Sequence, residues 1–246
     1  MNVIETSALG KRYRRKWALR GCTLGIPGGH VAALVGPNGA GKTTLLTMAV
    51  GLTRPTEGTV TVADGEPAGS ASALDRVAFV AQDAPLYRNL PVGDMLHLAR
   101  NMNRRWDQPR ALDRLERLEI PPRARVGDLS GGQKAQLALT IALARRPELL
   151  VLDEPLASLD PVAREDFLAA VVDAAQADGV SVVLSSHVLA ELERVATYLV
   201  VLTRGQVKVA GTVTELLASH GAGLEEIALR YLRAGVPSVS RTEGAT

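Results

Sequence analysis

The residues Gly36-Pro37-Asn38-Gly39-Ala40-Gly41-Lys42-Thr43 fit GxxxxGK[ST] at every fixed position, a spacing with the chemistry of a cradle for phosphate groups. Gly36, Gly39 and Gly41 admit backbone conformations closed to residues with a Cβ, so successive N–H groups can turn inward on an anion at a helix N-terminus. Lys42 then reaches the β- and γ-phosphates of a nucleotide, and the Thr43 hydroxyl ligates Mg²⁺. Asp153-Glu154 follows about a hundred residues later, after an apolar run. There the first carboxylate suits a magnesium ion and the second can polarise a water for attack on a phosphate. Ser130, a good N-cap residue, opens with Gly131-Gly132-Gln133 a helix start that has free N–H groups and no acidic residue in its first turn, which makes a second anion-favouring position. Gln82 and His187 stand as polar residues just past two further apolar runs.

These residues need a parallel sheet to bring them together. Val31 to Val35 reads as a short buried strand ahead of the phosphate loop, with a helix from Thr44 to Val50 behind it. Val3 to Leu9 reads as an opening strand, Gly58 to Val62 as an edge strand before an Asp64-Gly65 turn, and Val77 to Val80 as a strand ending near Gln82. Leu149 to Leu152 has the continuous apolar character of a strand buried on both faces, which puts Asp153 at its C-terminal edge, beside a phosphate loop built on a neighbouring strand. Asp160-Pro161 starts a helix that runs through Ala177 to a stop at Gly179, and Val180 to Ser185 is the strand that delivers His187. Tyr198 to Leu202 and Gln206 to Ala210 form a hairpin around Arg204-Gly205, followed by helices from Thr212 to His220 and Leu224 to Leu232.

From Pro91 to Arg125 the composition turns rich in Arg and Leu, with helical periodicity and proline punctuation, which suggests a small helical insert. The helix opened by Ser130 is expected from Lys134 through Arg146. In Lys11-Arg12-Tyr13-Arg14-Arg15-Lys16-Trp17, Tyr13 or Trp17 could stack on a flat base, while the cations are a solvated face or favour polyphosphate or lipid.

Composition bounds the rest. The 28 basic and 26 acidic residues are too balanced to point to nucleic acid as a main partner. A lone Cys22 allows no internal disulfide and fits a reducing compartment. The first residues read as a strand rather than a signal peptide, and no apolar run approaches the ~18 residues of a membrane span. A membrane role therefore has to come through a partner.

Taken in order, these motifs resemble the nucleotide-binding subunit of ABC transporters over nearly the whole chain. Tyr13 looks like the adenine-stacking aromatic, Gly36 to Thr43 with Thr44 like the Walker A loop, and Gln82 like the Q-loop glutamine, a third magnesium ligand. Leu129 to Gln133 is an unaltered LSGGQ signature, Asp153 the Walker B aspartate, Glu154 the catalytic glutamate and His187 the switch histidine. Asp160 closes a D-loop that departs from the usual Ser-x-Leu-Asp by carrying Ala157.

The resemblance implies an α/β P-loop NTPase with a RecA-like core on a mixed sheet, an antiparallel β subdomain at its edge and a small helical subdomain near 88–147. It implies one ATPase domain over 1–237 with a flexible tail at 238–246. ATP and Mg²⁺ are the implied cofactors. A membrane-spanning permease and a second cassette, identical or different, are the implied partners, the two cassettes closing head to tail on two ATP molecules at the cytoplasmic face of the membrane.

The spacing around Trp106-Asp107, the run Asp160 to Arg164 and Leu224 to Ile227 look most like the ATPases of ABC-2-type exporters, including drug-resistance systems; importer cassettes share the core motifs. A soluble ABC ATPase acting on DNA or ribosomes fits less well, because there is one signature and no heptad insert. Glu154 and His187 argue against a module that binds ATP without turning it over, and no NKxD motif supports a GTPase.

Overall fold

The computed structural model describes residues 1–83, 85–157 and 159–234; the tail expected at 238–246 lies outside them. β1 (Asn2–Tyr13) and β2 (Lys16–Pro27) make a long antiparallel hairpin, β3 (Val31–Val35) leads into the phosphate loop, and α1 (Lys42–Ala49) follows it. Next come β4 (Glu57–Val62), β5 (Glu66–Pro67), α2 (Ala71–Arg76) and β6 (Val77–Val80), then α3 (Val92–Met102), α4 (Gln108–Arg117) and α5 (Gly131–Ala144). The chain continues through β7 (Leu149–Asp153), α6 (Pro161–Ala177), β8 (Ser181–Ser186), β9 (Tyr198–Thr203), β10 (Gln206–Thr212), α7 (Val213–His220) and α8 (Leu224–Ala234).

A six-stranded mixed sheet has the order β10-β9-β3-β8-β7-β6, parallel except for β10. A four-stranded antiparallel sheet has the order β2-β1-β4-β5. Two sequence expectations are corrected here. The strand bearing Asp153 is not adjacent to the one bearing the phosphate loop, because β8 lies between them. Local patterning carries no information on strand order, and both β3 and β7 are apolar enough to be central. Nor is β4 an edge, since β1 pairs on one side and the two-residue β5 on the other. The opening strand also outruns Leu9, continuing to Tyr13 through register shifts beside Ala8, whose φ is +46°.

Alternation along the strands divides the core. Val31, Ala33 and Val35 of β3 face a cluster with Leu139, Phe167 and Ile227 from α5, α6 and α8. Ala32 and Leu34 face a cluster with Leu45, Leu46 and Met48 of α1 and with Ile4, Leu9 and Leu19 of the antiparallel sheet. A third cluster joins Val92 and Leu96 of α3, Ala111 and Leu115 of α4 and Leu137 of α5. Beside it Arg114, its guanidinium pulled down to about 10 by burial, donates to Gln136 Oε1 at 2.6 Å and Thr140 Oγ1 at 3.1 Å on α5.

α6 is set up by its ends: the Asp160 carboxylate accepts from Val162 N and Ala163 N, Pro161 occupies the first turn, and Gly179 at φ +68° ends the run. Phe167 is fully buried at the centre of the face α6 turns to the sheet. Phe167→Ala is expected to lower unfolding stability by about 3–5 kcal/mol. Urea titration checks this as a shifted midpoint with an unchanged m-value.

Candidate functional site

Strand register builds the site. Val35 of β3 pairs with Ser186 of β8, and Ser185 pairs with Asp153 of β7, so three strands end level at one edge. The residues that leave the sheet there are Gly36, His187 and Glu154. Val80 of β6 pairs with Leu152, which brings Gln82 to the same edge two residues later. This is the edge at which open α/β sheets bind ligands.

The side chains at this edge form one connected group. Lys42 is 5% exposed; its Nζ donates to the Gly36 carbonyl at 2.8 Å and lies 3.0 Å from Glu154 Oε1. His187 Nδ1 lies 2.7 Å from Glu154 Oε2. Burial by itself would raise the Glu154 carboxyl, but the hydrogen bonds from His187 and Lys42 hold it below the usual carboxylate range. Asp153 is 3% exposed and accepts from Ser185 Oγ at 2.7 Å, while the same hydroxyl oxygen accepts from Glu154 N at 2.9 Å. Ser185 thus sets both acids, and sequence reading missed it as a mere strand residue. Its only local signal is a hydroxyl that directly follows the apolar run Val182 to Leu184. Glu154 itself is held at φ +48°, a costly conformation for a residue with a Cβ, and one that turns its carboxylate out of the strand direction.

The phosphate loop is fitted closely to its neighbours. A Cβ on Gly36 would lie 2.1 Å from the Leu202 carbonyl, and Gly41, at φ +107°, would put one 2.7 Å from the Ala18 carbonyl. The Gly205 N–H donates to Ala40 O at 2.9 Å and the Arg20 N–H to Gly205 O at 3.1 Å, tying the loop and the β9–β10 turn to β2. Next to this seam Tyr13, Lys16, Trp17, Gly41, Thr43 and Thr44 line a cleft of about 300 Å³. The guanidiniums of Arg12 and Arg20 lie 5.5 and 5.8 Å from the Trp17 ring centroid. Tyr13 is 49% exposed with Lys11 Nζ 5.3 Å from its ring, so Tyr13 is the more open of the two platforms. Pro37, Asn38 and Gly39 are exposed at the loop's crest and Ala40 is buried beneath it.

Ser130 to Gln133 stand apart. Ser130 Oγ accepts from Gln133 N at 3.1 Å and Gln133 Oε1 accepts from Ser130 N at 3.0 Å, a capping box that already uses two of the expected free donors. Among the described residues, no hydrogen bond or ion pair joins this corner to residues 36–44. Gly131 instead shares a cleft of about 330 Å³ with Gln82, Asp83, Lys134, Pro155 and Ala157. Gly132 backs onto α6, where an added Cβ would meet Ala163 Cβ at 3.0 Å. The Asp160 carboxylate is engaged in capping α6. A larger cavity of about 1210 Å³ lies at the opposite end of the sheet, by Gly28, Glu148, Gly179 and Ser181, and holds none of these residues.

The donors fit magnesium. Thr43 offers a hydroxyl, Gln82 an amide oxygen and Asp153 a carboxylate with one oxygen committed to Ser185. No cluster of three or more His, Cys, Asp or Glu suited to a metal occurs among the described residues. An ion here would complete its shell with phosphate and water oxygens, which is how Mg²⁺ is commonly held.

Comparison with known proteins fits this arrangement. The ABC transporter family profile matches residues 19–157. The chain is 34% identical over 225 residues to the Nod factor export ATP-binding protein I of Rhizobium sp. (strain N33), covering 89% of this chain and 73% of that protein. It is 33% identical over 235 residues to the phosphonates import ATP-binding protein of Thiobacillus denitrificans, covering 89% and 90%. Across such relatives the alignments span 62% to 90% of the relatives' own length. A solved structure of the ATP-binding subunit of an ABC transporter superposes with a TM-score of 0.82 at 28% identity, covering 93% of this chain and 99% of that one. No helix among the described residues is long and apolar enough to cross a membrane.

The lowered Glu154 carboxyl makes a stability prediction for the nucleotide-free protein. Because its folded pKa lies below its unfolded value of ~4.3, its contribution is complete above that value and is lost as pH falls through the folded pKa. The difference in unfolding free energy between wild type and Glu154→Gln is expected at pH 7 and should shrink towards zero in acid; denaturant titrations between pH 7 and 3 measure it.

Proposed function

The chain belongs to the ABC transporter family as an ATP-hydrolysing cassette, and on that premise we propose that it powers export of a substrate through a separate membrane-spanning partner. The observation that carries the motor reading is the meeting of Lys42, Glu154 and His187 at one sheet edge. In this reading a γ-phosphate competes with Glu154 for Lys42. Once Lys42 turns to phosphate, Glu154 loses one of the contacts that hold its carboxyl low and becomes a better acceptor for a proton from the attacking water. His187 steadies the carboxylate from its other oxygen. Tyr13 stacks on the adenine ring, and the loop N–H groups from Gly39 to Thr44 hold the phosphates. Thr43, Gln82 and Asp153 would hold Mg²⁺, which when bound neutralises charge on the phosphate oxygens.

Among the described residues no hydrogen bond or ion pair joins Ser130 to Gln133 to its own phosphate loop, and this supports a head-to-tail pair in which each signature covers the nucleotide of the other chain. Acting on a permease, as the cassettes of this family do, the pair works at the cytoplasmic face of the membrane. Export rests on the Asp160 to Arg164 run and the short helical region; import is the second reading, favoured by the phosphonate relative, nine-tenths of which aligns. Membrane pull-down that identifies the permease, followed by substrate flux in vesicles of known orientation, separates them.

Glu154→Gln is expected to bind ATP, to hydrolyse it about 10²–10⁴ times more slowly and to accumulate as an ATP-bound dimer. Phosphate release and gel filtration with ATP test this, and wild-type turnover would remove Glu154 as the base. Ser130→Arg is expected to leave ATP affinity of the monomer unchanged and to abolish pairing and turnover, with a separate cost of about 1 kcal/mol from the lost cap. Full activity in that variant would contradict the head-to-tail arrangement.

A further inference from the structure

Arg164 sits in the first turn of α6, and its guanidinium holds two segments that both lead to the site. One terminal nitrogen donates to the Leu159 carbonyl at 3.0 Å, in the loop that runs on from Asp153-Glu154. The other pairs with the Glu191 carboxylate in the short turn Leu189–Glu191, which follows His187. The pair is sheltered, with side chains 31% and 18% exposed, and Arg164 Nε is buried without a partner. Glu154, Ala157, Arg164, Ser186, His187 and Glu191 line one cavity of about 100 Å³, so Arg164 and Glu191 share that small space with the His187–Glu154 hydrogen bond.

His187 has few other restraints. Its ring is half-exposed and, among the described residues, bonds to Glu154 alone. Before it, the chain is fixed by Ser186 Oγ, which accepts from Val188 N at 2.9 Å and donates to Val188 O at 3.1 Å. After it, the side-chain anchor is Glu191 on Arg164. A guanidinium suits this task because its fixed fork can hold a carbonyl and a carboxylate together, which the single ammonium of a lysine does not reproduce.

We propose that Arg164 is a positioning residue for ATP hydrolysis, clamping Leu159 and the start of α6 to the His187 segment so that the two move as one piece relative to Glu154. The inference rests on the assignment of Glu154 and His187 to hydrolysis made above. Exposed Asp160 adjoins Leu159, so a second chain pressing there displaces His187 through the clamp rather than through contact with the histidine itself.

The test is steady-state hydrolysis and ATP affinity of the full chain carrying Arg164→Gln, Glu191→Gln, both, Arg164→Lys, or His187→Ala. Each neutral single variant is expected to lower kcat about tenfold with KM and ATP affinity within about twofold, and the double variant to fall no further than the worse single. Arg164→Lys should stay nearer to Arg164→Gln than to wild type, since charge without the fork does not restore the clamp. If His187→Ala is slow while Arg164→Gln or Glu191→Gln turns over at the wild-type rate, the clamp is refuted. Additive losses in the double variant, or a matching loss of ATP affinity, refute it as well. Wild-type turnover by His187→Ala would instead overturn the hydrolysis assignment, and the clamp with it. Should Arg164→Gln fail to fold, Glu191→Gln breaks the same pair from its other end and decides the matter.

Discussion

Lys42 and Glu154 share a place nearly closed to water, their side chains 6% and 10% exposed, and the architecture of the binding edge follows from keeping them there. A sheltered ion pair repays the loss of hydration only when its remaining donors and acceptors are also met. The Gly36 carbonyl meets part of the lysine's requirement, and the His187 ring takes the second carboxylate oxygen. Three separate strands must therefore stop at one level, and the pairing of Val35 with Ser186 and of Ser185 with Asp153 is what stops them there. A shift of one residue in β8 would turn Ser185 to the other face and strip both acids of their shared hydroxyl.

Around that edge the helices and the second sheet act as a frame. α5 and α6 close one face of the mixed sheet and α1 the other, leaving the strand ends as the open side. The antiparallel sheet does more than cover apolar surface, because its seam with Gly205 and the phosphate loop fixes how far Tyr13 stands from Gly41. Close packing at Gly36 and Gly41 leaves no room for a side chain at either end of the loop, which suits a site that must present several N–H groups at once.

Short-range chemistry in the sequence was enough to place the phosphate loop, Asp153, Glu154, Gln82 and His187 at strand ends, because each is marked by residue type within a few positions of an apolar run. The Asp160-Pro161 helix start and the Arg204-Gly205 hairpin were legible for the same reason. What escaped depends on partners distant in the chain. The insertion of β8 between β3 and β7, the hydroxyl of Ser185 on two acids, and the fork of Arg164 between Leu159 and Glu191 are all consequences of register or of side chains meeting across elements. The expectation of free donors at Ser130 failed in part because Gln133, three residues on, supplies the cap from its own side chain. Ser130 was legible as an N-cap, but the return bond from the Gln133 side chain was not.

The strand that carries the phosphate loop has its two neighbours, β8 and β9, far behind it in the chain, with Val31 pairing to Val182 and Ala32 to Tyr198. During synthesis β3 therefore waits unpaired while the whole helical region and β7 leave the ribosome. The hydrogen-bonding edges of an apolar strand are exposed throughout that interval, so the nascent chain is most open to misassociation before residue 182 emerges. A truncated product ending there would retain the intact GxxxxGKT segment and yet lack both strands that flank β3.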